Sequence, residues 1–247
     1  MRTHIISIAL QKGGVGKSTT AQNLSAYLGS KGKKVLLIDL DAQCNTTFSS
    51  GAEPKEQTAS DFLGGQCSPE DAIVSCNHYD IIPADAYLSN VESAEVDKGL
   101  LKHRLSSCIG KYDYIFIDTP PALGNLLKNA LYASDYVIIP MDARPYAIQG
   151  IDAFAETMKE VNPDLRILGI VLVRFNDRSI INRDMRNSIR QYAKGLNTLM
   201  FNTYIREGVA VPESQAMRQD LIDYAPKSNP ASDYERLAGE FLKKMRQ

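Results

Sequence analysis

Leu10-Gln11-Lys12-Gly13-Gly14-Val15-Gly16-Lys17-Ser18-Thr19 closes an apolar run and opens a segment of helical spacing. Ile5-Ile6-Ser7-Ile8-Ala9 before it has strand length and is almost wholly apolar. A strand, a glycine-rich turn and a helix in direct succession make a cradle for phosphate. Glycines let the backbone turn tightly and aim its N–H groups inward. The free N–H groups and dipole of the helix start favour an anion. Lys17 adds a point charge for β- and γ-phosphate oxygens, and the Ser18 hydroxyl is a ligand for Mg2+. Gly13, Gly14, Val15, Gly16, Lys17, Ser18 and Thr19 are therefore the candidate nucleotide-binding residues. A glycine turn without a ligand is the alternative, and the flanking strand and helix weigh against it.

Further along, runs of strand length recur at 35–40, 79–83, 112–118, 136–141, 167–173 and 201–205, beside the first at 4–10. Most are continuously apolar, the pattern of strands buried on both faces of a parallel sheet. Helical spacing falls at 17–31, 88–109, 124–133, 148–161, 180–194 and 232–246. The alternation predicts an α/β fold, one doubly wound and mostly parallel sheet with helices on both faces, as a single domain over 1–247. Strand signal is weakest between residues 59 and 107.

Two of these strands end in acids. Val35-Leu36-Leu37-Ile38 runs into Asp39-Leu40-Asp41, and Tyr114-Ile115-Phe116-Ile117 runs into Asp118. Ligands of open α/β sheets bind at the carboxyl edge of the strands, which is where these acids fall. A carboxylate ending the strand beside a phosphate loop can hold a magnesium-bound water.

Lys12, five residues before Lys17, is not needed by an ordinary phosphate loop. With it the segment resembles the deviant Walker A motif, KGGxGK[ST], of the ParA/MinD superfamily. Asp39-Leu40-Asp41-Ala42-Gln43-Cys44-Asn45-Thr46-Thr47 resembles the DxDPQxNxT segment of ParA/Soj proteins, with Ala42 for the usual Pro and Cys44 for the usual Gly. Asp118-Thr119-Pro120-Pro121 and the following ALGNLLKNALYASDYVIIP resemble that family's DxPPSLGxLxxNALxAAD…IIP stretch. The resemblance runs from residue 4 to about 175, and resumes at 201–205 and at Tyr224-Ala225-Pro226-Lys227-Ser228. It implies a P-loop ATPase using ATP and Mg2+. Lys12 would reach across an ATP-dependent sandwich homodimer to the partner's phosphates. Asp41 would position the attacking water, with Lys12 and Lys17 completing the catalytic set. Ser18, Asp39 and Asp118 would serve the metal. Asn176 and Arg206, the latter beside Gly208, would line the adenine pocket.

The family also implies binding of nonspecific double-stranded DNA, and hydrolysis stimulated by a ParB-type centromere-binding partner. Arg178 stands where a DNA-contacting arginine is found. Arg174 precedes it, and Arg183, Arg186 and Arg190 step by three and four onto one helix face, a stripe suited to phosphates. Lys227 completes the candidate DNA set. A solvated helix face is the plain alternative. Glu207 and Ala210 stand where the family usually has arginines, so one contact is lost or moved to Arg206, Arg218 or Lys227; a plasmid or mobile-element relative is the guess that follows.

Composition narrows the remaining classes. With 28 Lys+Arg against 29 Asp+Glu, the net charge of −1 excludes a protein that coats nucleic acid by bulk charge. Four cysteines without a CxxC pair give neither a metal knuckle nor the seam ligands of an iron–sulfur reductase of the nitrogenase iron-protein type. They fit reduced thiols in the cytoplasm, where a nucleoid-associated protein would act. A MinD-like positioning ATPase is the alternative function. It needs the apolar stripe Tyr234, Leu237, Ala238, Phe241, Leu242, Met245 to lie on a membrane, whereas such a stripe more often packs on its own core. A non-hydrolysing regulator on the same fold is a fourth, weaker class.

Overall fold

The computed structural model describes residues 2–94, 96–144, 148–196 and 198–246. Among these residues, seven strands form one sheet in the order β3-β4-β2-β5-β1-β6-β7. They are β1 (His4–Ile8), β2 (Val35–Asp39), β3 (Val74–Ser75), β4 (Asp80–Ile82), β5 (Tyr114–Asp118), β6 (Tyr136–Asp142) and β7 (Arg166–Val173). Every pairing is parallel except that of β3, a two-residue edge strand antiparallel to β4. The doubly wound, mostly parallel sheet expected from the apolar runs is the one observed.

Register levels the strand ends. Ile8 and Asp39 both pair with Asp118, and Asp142 pairs with Val173. The carboxyl edge therefore presents three acids beside the loop that leaves β1. Two apolar layers back this edge, with Leu24, Leu28, Phe116 and Phe241 on one side and Leu127, Ile139, Phe154 and Leu172 in another cluster. Each such side chain contributes about 1.5–3 kcal/mol by leaving water.

The helices are α1 (Lys17–Ser30), α2 (Asn45–Ser49), α3 (Ala59–Gly64), α4 (Pro69–Ala72), α5 (Leu88–Ser93), α6 (Leu100–Arg104), α7 (Asn125–Ala133), α8 (Gln149–Val161), α9 (Ile180–Gly195), α10 (Ala210–Ala216), α11 (Leu221–Tyr224) and α12 (Asn229–Lys244). Helix α1 is buried on most sides, polar positions Gln22, Asn23 and Ser25 included, because the sheet, α12, α11 and α2 all pack on it.

Two expectations are corrected. The helix expected at 88–109 is broken into α5, α6 and a 3-10 turn, Leu105–Cys108. Asp97 starts a turn instead: its carboxylate accepts the Gly99 N–H, and Asn129 Oδ1 of α7 accepts the Leu101 N–H. The strand expected at 201–205 is not formed. The segment runs beside β7 and gives it the Phe201 and Ile205 N–H groups. The N–H groups of Asn202 and Thr203, however, go to the Glu240 carboxylate of α12, which draws the chain off a regular ladder. Short helices α2, α3, α4, α10 and α11 lie below the length that apolar periodicity resolves.

Candidate active site

The loop after β1 holds its shape through glycines in the left-handed region, Gly14 at φ 67° and Gly16 at φ 78°. Gly16 is also hemmed in, since a Cβ there would lie 3.4 Å from Val173 Cγ2. Lys17 follows and is 6% exposed. Its ammonium donates to the Lys12 carbonyl at 2.9 Å. Burial lowers its pKa, and the nearby charges of Asp118 and Asp41 oppose that shift.

Asp118 and Asp39 are fully buried neighbours at the strand ends. Burial pushes both carboxyls well above their ordinary range, and for Asp39 the charge of Asp118 adds to it. Their hydrogen bonding differs. Asp39 accepts from the Asp41 N–H at 3.0 Å and from both the N–H and the hydroxyl of Thr47 at 2.8 Å. It is tied into the loop that carries Asp41. Asp118 accepts the Thr46 hydroxyl on Oδ2 at 2.7 Å, with the Ser18 hydroxyl beside it, while Oδ1 is buried with no partner among the described residues. An orphaned carboxylate oxygen next to a hydroxyl, with a buried ammonium near, fits a hydrated Mg2+.

Two contiguous cavities open over this edge. One, of about 430 Å³, is lined by 13–19 together with Asp41, Pro121, Arg174 and Gln215. The other, of about 910 Å³, shares Gly16, Thr19, Arg174 and Gln215 with it and continues past Phe175, Asn176, Arg206, Gly208 and Tyr234. The phosphate-loop residues 13–19, Asp41, Asn176 and Arg206 thus line one groove. The Asp41 carboxylate is half-buried there and accepts the Gln43 N–H at 3.0 Å. Lys12 is exposed next to Gly13 and lines neither cavity.

The wide end of the groove is built by pairs distant in sequence. Asp233 of α12 is completely buried. It accepts the Arg206 N–H at 2.9 Å and the Arg206 guanidinium at 2.8 Å on each oxygen, and Arg236 also pairs with it. Phe175 and Tyr204 pack tilted at 52° with centroids 4.6 Å apart, and the Arg186 guanidinium lies 5.0 Å from the Tyr204 ring centre.

Some members of the DNA set are placed elsewhere. Arg174 has φ 50° and turns inward: Nη2 donates to Asp142 at 2.6 Å and to the Gly14 carbonyl at 2.6 Å. It braces the phosphate loop, because Asp142 at the end of β6 offers a nearly buried carboxylate. Arg186 is committed to the Phe175–Tyr204 pair. Arg178 lines the groove, Arg183 and Lys227 are exposed, and Arg190 is half-buried on α9. Of the relocated contacts, Arg206 is held by Asp233 and Arg218 pairs with Glu53 at 2.7 Å. Sequence reasoning passed over Asp142, Thr46, Gln215 and Asp233. Asp142 carries the same signal as Asp39 and Asp118, an acid ending an apolar strand; Gln215 and Asp233 carry no local one.

No helix among the described residues is long and apolar enough to cross a membrane. The apolar stripe of α12 is turned inward, with Tyr234, Leu237, Ala238 and Phe241 buried and Phe241 set edge-on to Tyr114 at 5.1 Å.

A family model described as an AAA domain matches residues 3–168. The sporulation initiation inhibitor protein Soj of Bacillus subtilis is 37% identical over 96% of this chain and 97% of its own. The chain belongs to the ParA/Soj family of partition ATPases. Among solved structures, a putative plasmid partition protein from Borrelia burgdorferi bound to AMPPNP superposes with a TM-score of 0.83 and 31% identity, covering 98% of this chain and 100% of that one. Cobyrinic acid a,c-diamide synthase from Mycobacterium smegmatis, with bound ADP and magnesium, superposes at 0.84 with 29% identity, covering 99% and 96%. As a ParA/Soj protein, this chain shares full-length architecture with relatives named for partition, and a fold on which adenine nucleotides are bound.

Proposed function

We propose that this ParA/Soj chain is a nucleotide-switched partition ATPase that binds ATP with Mg2+ in the groove and nonspecific duplex DNA in the ATP-bound state. The observation that carries it is the buried Asp118 Oδ1, without a partner among the described residues, beside Ser18 and Lys17. Ser18 and, through water, Asp118 would hold Mg2+, which supplies charge neutralisation at the β- and γ-phosphate oxygens. Lys17 and the N–H groups of 13–19 orient the phosphates. The Asp41 carboxylate accepts a hydrogen bond from the attacking water and aligns it with the γ-phosphorus. Asp39 acts one step back, by fixing the Asp41 backbone. Asn176 and the Arg206–Gly208 loop face the adenine. Lys12, exposed just before the phosphate loop, completes the phosphate site of a second copy in an ATP-dependent homodimer. With so few reacting groups, turnover alone is slow, and a ParB-type partner accelerates it.

Arg178, Arg183, Arg190 and Lys227 remain the DNA contacts of this reading, with Arg174 and Arg186 removed. The test is binding to random-sequence duplex with ATP and with ADP across a salt series. Salt-sensitive binding with ATP alone, lost in Lys12→Ala together with the dimer seen by light scattering, is the expected result. Binding in neither state defeats the DNA role.

A further inference from the structure

Away from the groove, His78 lies on the turn between β3 and β4, while Asp220 and Asp223 sit at the start of α11. One ligand atom from each comes within 4.8 Å of the other two. His78 Nε2 is 3.1 Å from both carboxylate oxygens of Asp223. Asp220 is 6% exposed. Among the described residues no lysine or arginine pairs with Asp220 or Asp223. Oδ1 of Asp220 accepts from Gln22 Nε2 at 2.9 Å and from the Tyr79 hydroxyl at 3.0 Å, and Oδ2 accepts nothing among the described residues.

A buried carboxylate without a cation is costly unless it is protonated or binds a metal. The hydrogen bonds from Gln22 and Tyr79 are the kind that orient a ligating carboxylate and leave its second oxygen free. Asn77 Nδ2, 3.4 Å from Asp223 Oδ2, does the same on the other side. A tetrahedral ion bound at ~2.0–2.2 Å sets its ligand atoms roughly 3.4 Å apart. The three atoms, all within 4.8 Å of one another, would have to close toward that spacing on binding. One imidazole with two carboxylates suits Zn2+, Co2+ or Ni2+ better than Mg2+.

We propose that His78, Asp220 and Asp223 form a site for one divalent transition-metal ion of the Zn2+ class, with water completing its coordination. The ion would pin the β3–β4 turn to α11 at the end of α1. The contact there is already close: a Cβ on Gly29 would fall 1.7 Å from the His78 carbonyl oxygen. Through Gln22, which also accepts the Ser49 hydroxyl at 2.6 Å, the site touches the wall of the phosphate cavity. Nothing in this proposal depends on the nucleotide reading.

The test uses nucleotide-free protein stripped with a chelator, with Mg2+ in excess. Zn2+ is titrated by calorimetry, and Co2+ by its visible absorption. One equivalent of each should bind and raise the melting temperature. His78→Gln and Asp223→Asn, both on partly exposed groups, should fold as wild type by circular dichroism, weaken Zn2+ binding at least tenfold and abolish the Co2+ band. Failure to bind micromolar Zn2+, or equal binding by wild type and His78→Gln, overturns the site.

Discussion

The two ends of the groove are built differently. The phosphate end is made by a few short segments at strand ends: 12–19 following β1, Asp39–Asp41 at the end of β2 and Asp118 closing β5. Lys17, Asp39 and Asp118 are buried there, Asp41 is half-buried, and the shape is set by local backbone geometry. The wide end is made by residues far apart, Phe175 with Tyr204 and Arg206 with Asp233, and its cations are partly exposed. On the proposed reading, chemistry falls at the first end and architecture at the second. Substitutions should therefore separate catalysis from stability.

The largest effect is expected for Lys17→Ala. Removing one preorganised charge from a phosphoryl-transfer site costs about 10²-fold or more in kcat. Folding should hardly suffer, because a buried ammonium is itself expensive. Steady-state hydrolysis and a melting curve check both halves. A large loss of melting temperature would break the contrast.

Asp233→Ala should do the reverse. Removing one partner of a buried ion pair costs about 3–5 kcal/mol. Arg206 and Arg236 retain 32% and 59% side-chain exposure and can rehydrate, so about 2 kcal/mol is expected. In a chain of this size that lowers the melting temperature by about 4–8 °C. KM for ATP should rise as the Arg206 wall loosens, while kcat changes little. A fall in kcat with an unchanged melting temperature would place Asp233 in the chemistry instead.

These contrasts follow how far each end could be read from sequence. Gly-Gly-Val-Gly-Lys-Ser and the strand-end acids announce themselves within a few residues, because phosphate binding uses consecutive N–H groups and strand termini. The arginines do not. Arg174 and Arg186 have the same local pattern as a solvated stripe. Only the sheet register, which sets Asp142 level with Val173, and the approach of Tyr204 to Phe175 show what they hold. The 201–205 segment failed as a strand for the same reason: Glu240, thirty-eight residues beyond Asn202, takes its N–H groups. The metal-ligand cluster was invisible because His78 is far in sequence from Asp220 and Asp223.

A smaller effect sharpens the electrostatics of the phosphate end. In the native protein Asp39 and Asp118 keep their protons toward neutral pH, whereas the unfolded chain loses them in the ordinary carboxylate range. Between those limits the folded state binds more protons, so these groups contribute stability at low pH that is lost as pH rises through their native values. The comparison to make is metal-free wild type against Asp118→Asn from pH 4 to 8. The variant should gain on wild type as pH rises, and should lose the stabilisation that Mg2+ and ATP give wild type. A pH-independent difference would mean that Asp118 is ionised throughout.

The smallest effect tests whether the loop between those acids is strained. Cys44 caps α2 at φ 55° and ψ 29°, the left-handed region, where the resembling segments carry glycine. For a residue with a Cβ that conformation costs about 1–2 kcal/mol. Glycine would remove the cost but add about 0.5–1 kcal/mol of unfolded-state entropy. The Cys44 thiol, pushed up to about 11 mainly by burial, donates only a long bond to the Ala42 carbonyl at 3.4 Å, so little else is lost. Cys44→Gly should thus stabilise by about 0.5 kcal/mol, a melting shift of about 1–2 °C, with kcat unchanged. Cys44→Val, β-branched at the same φ, should destabilise by more than that. If glycine lowers the melting temperature and valine does not, the turn is held by the thiol rather than strained by it, and the loop carrying Asp41 owes its shape to side-chain contacts, as the wide end of the groove does.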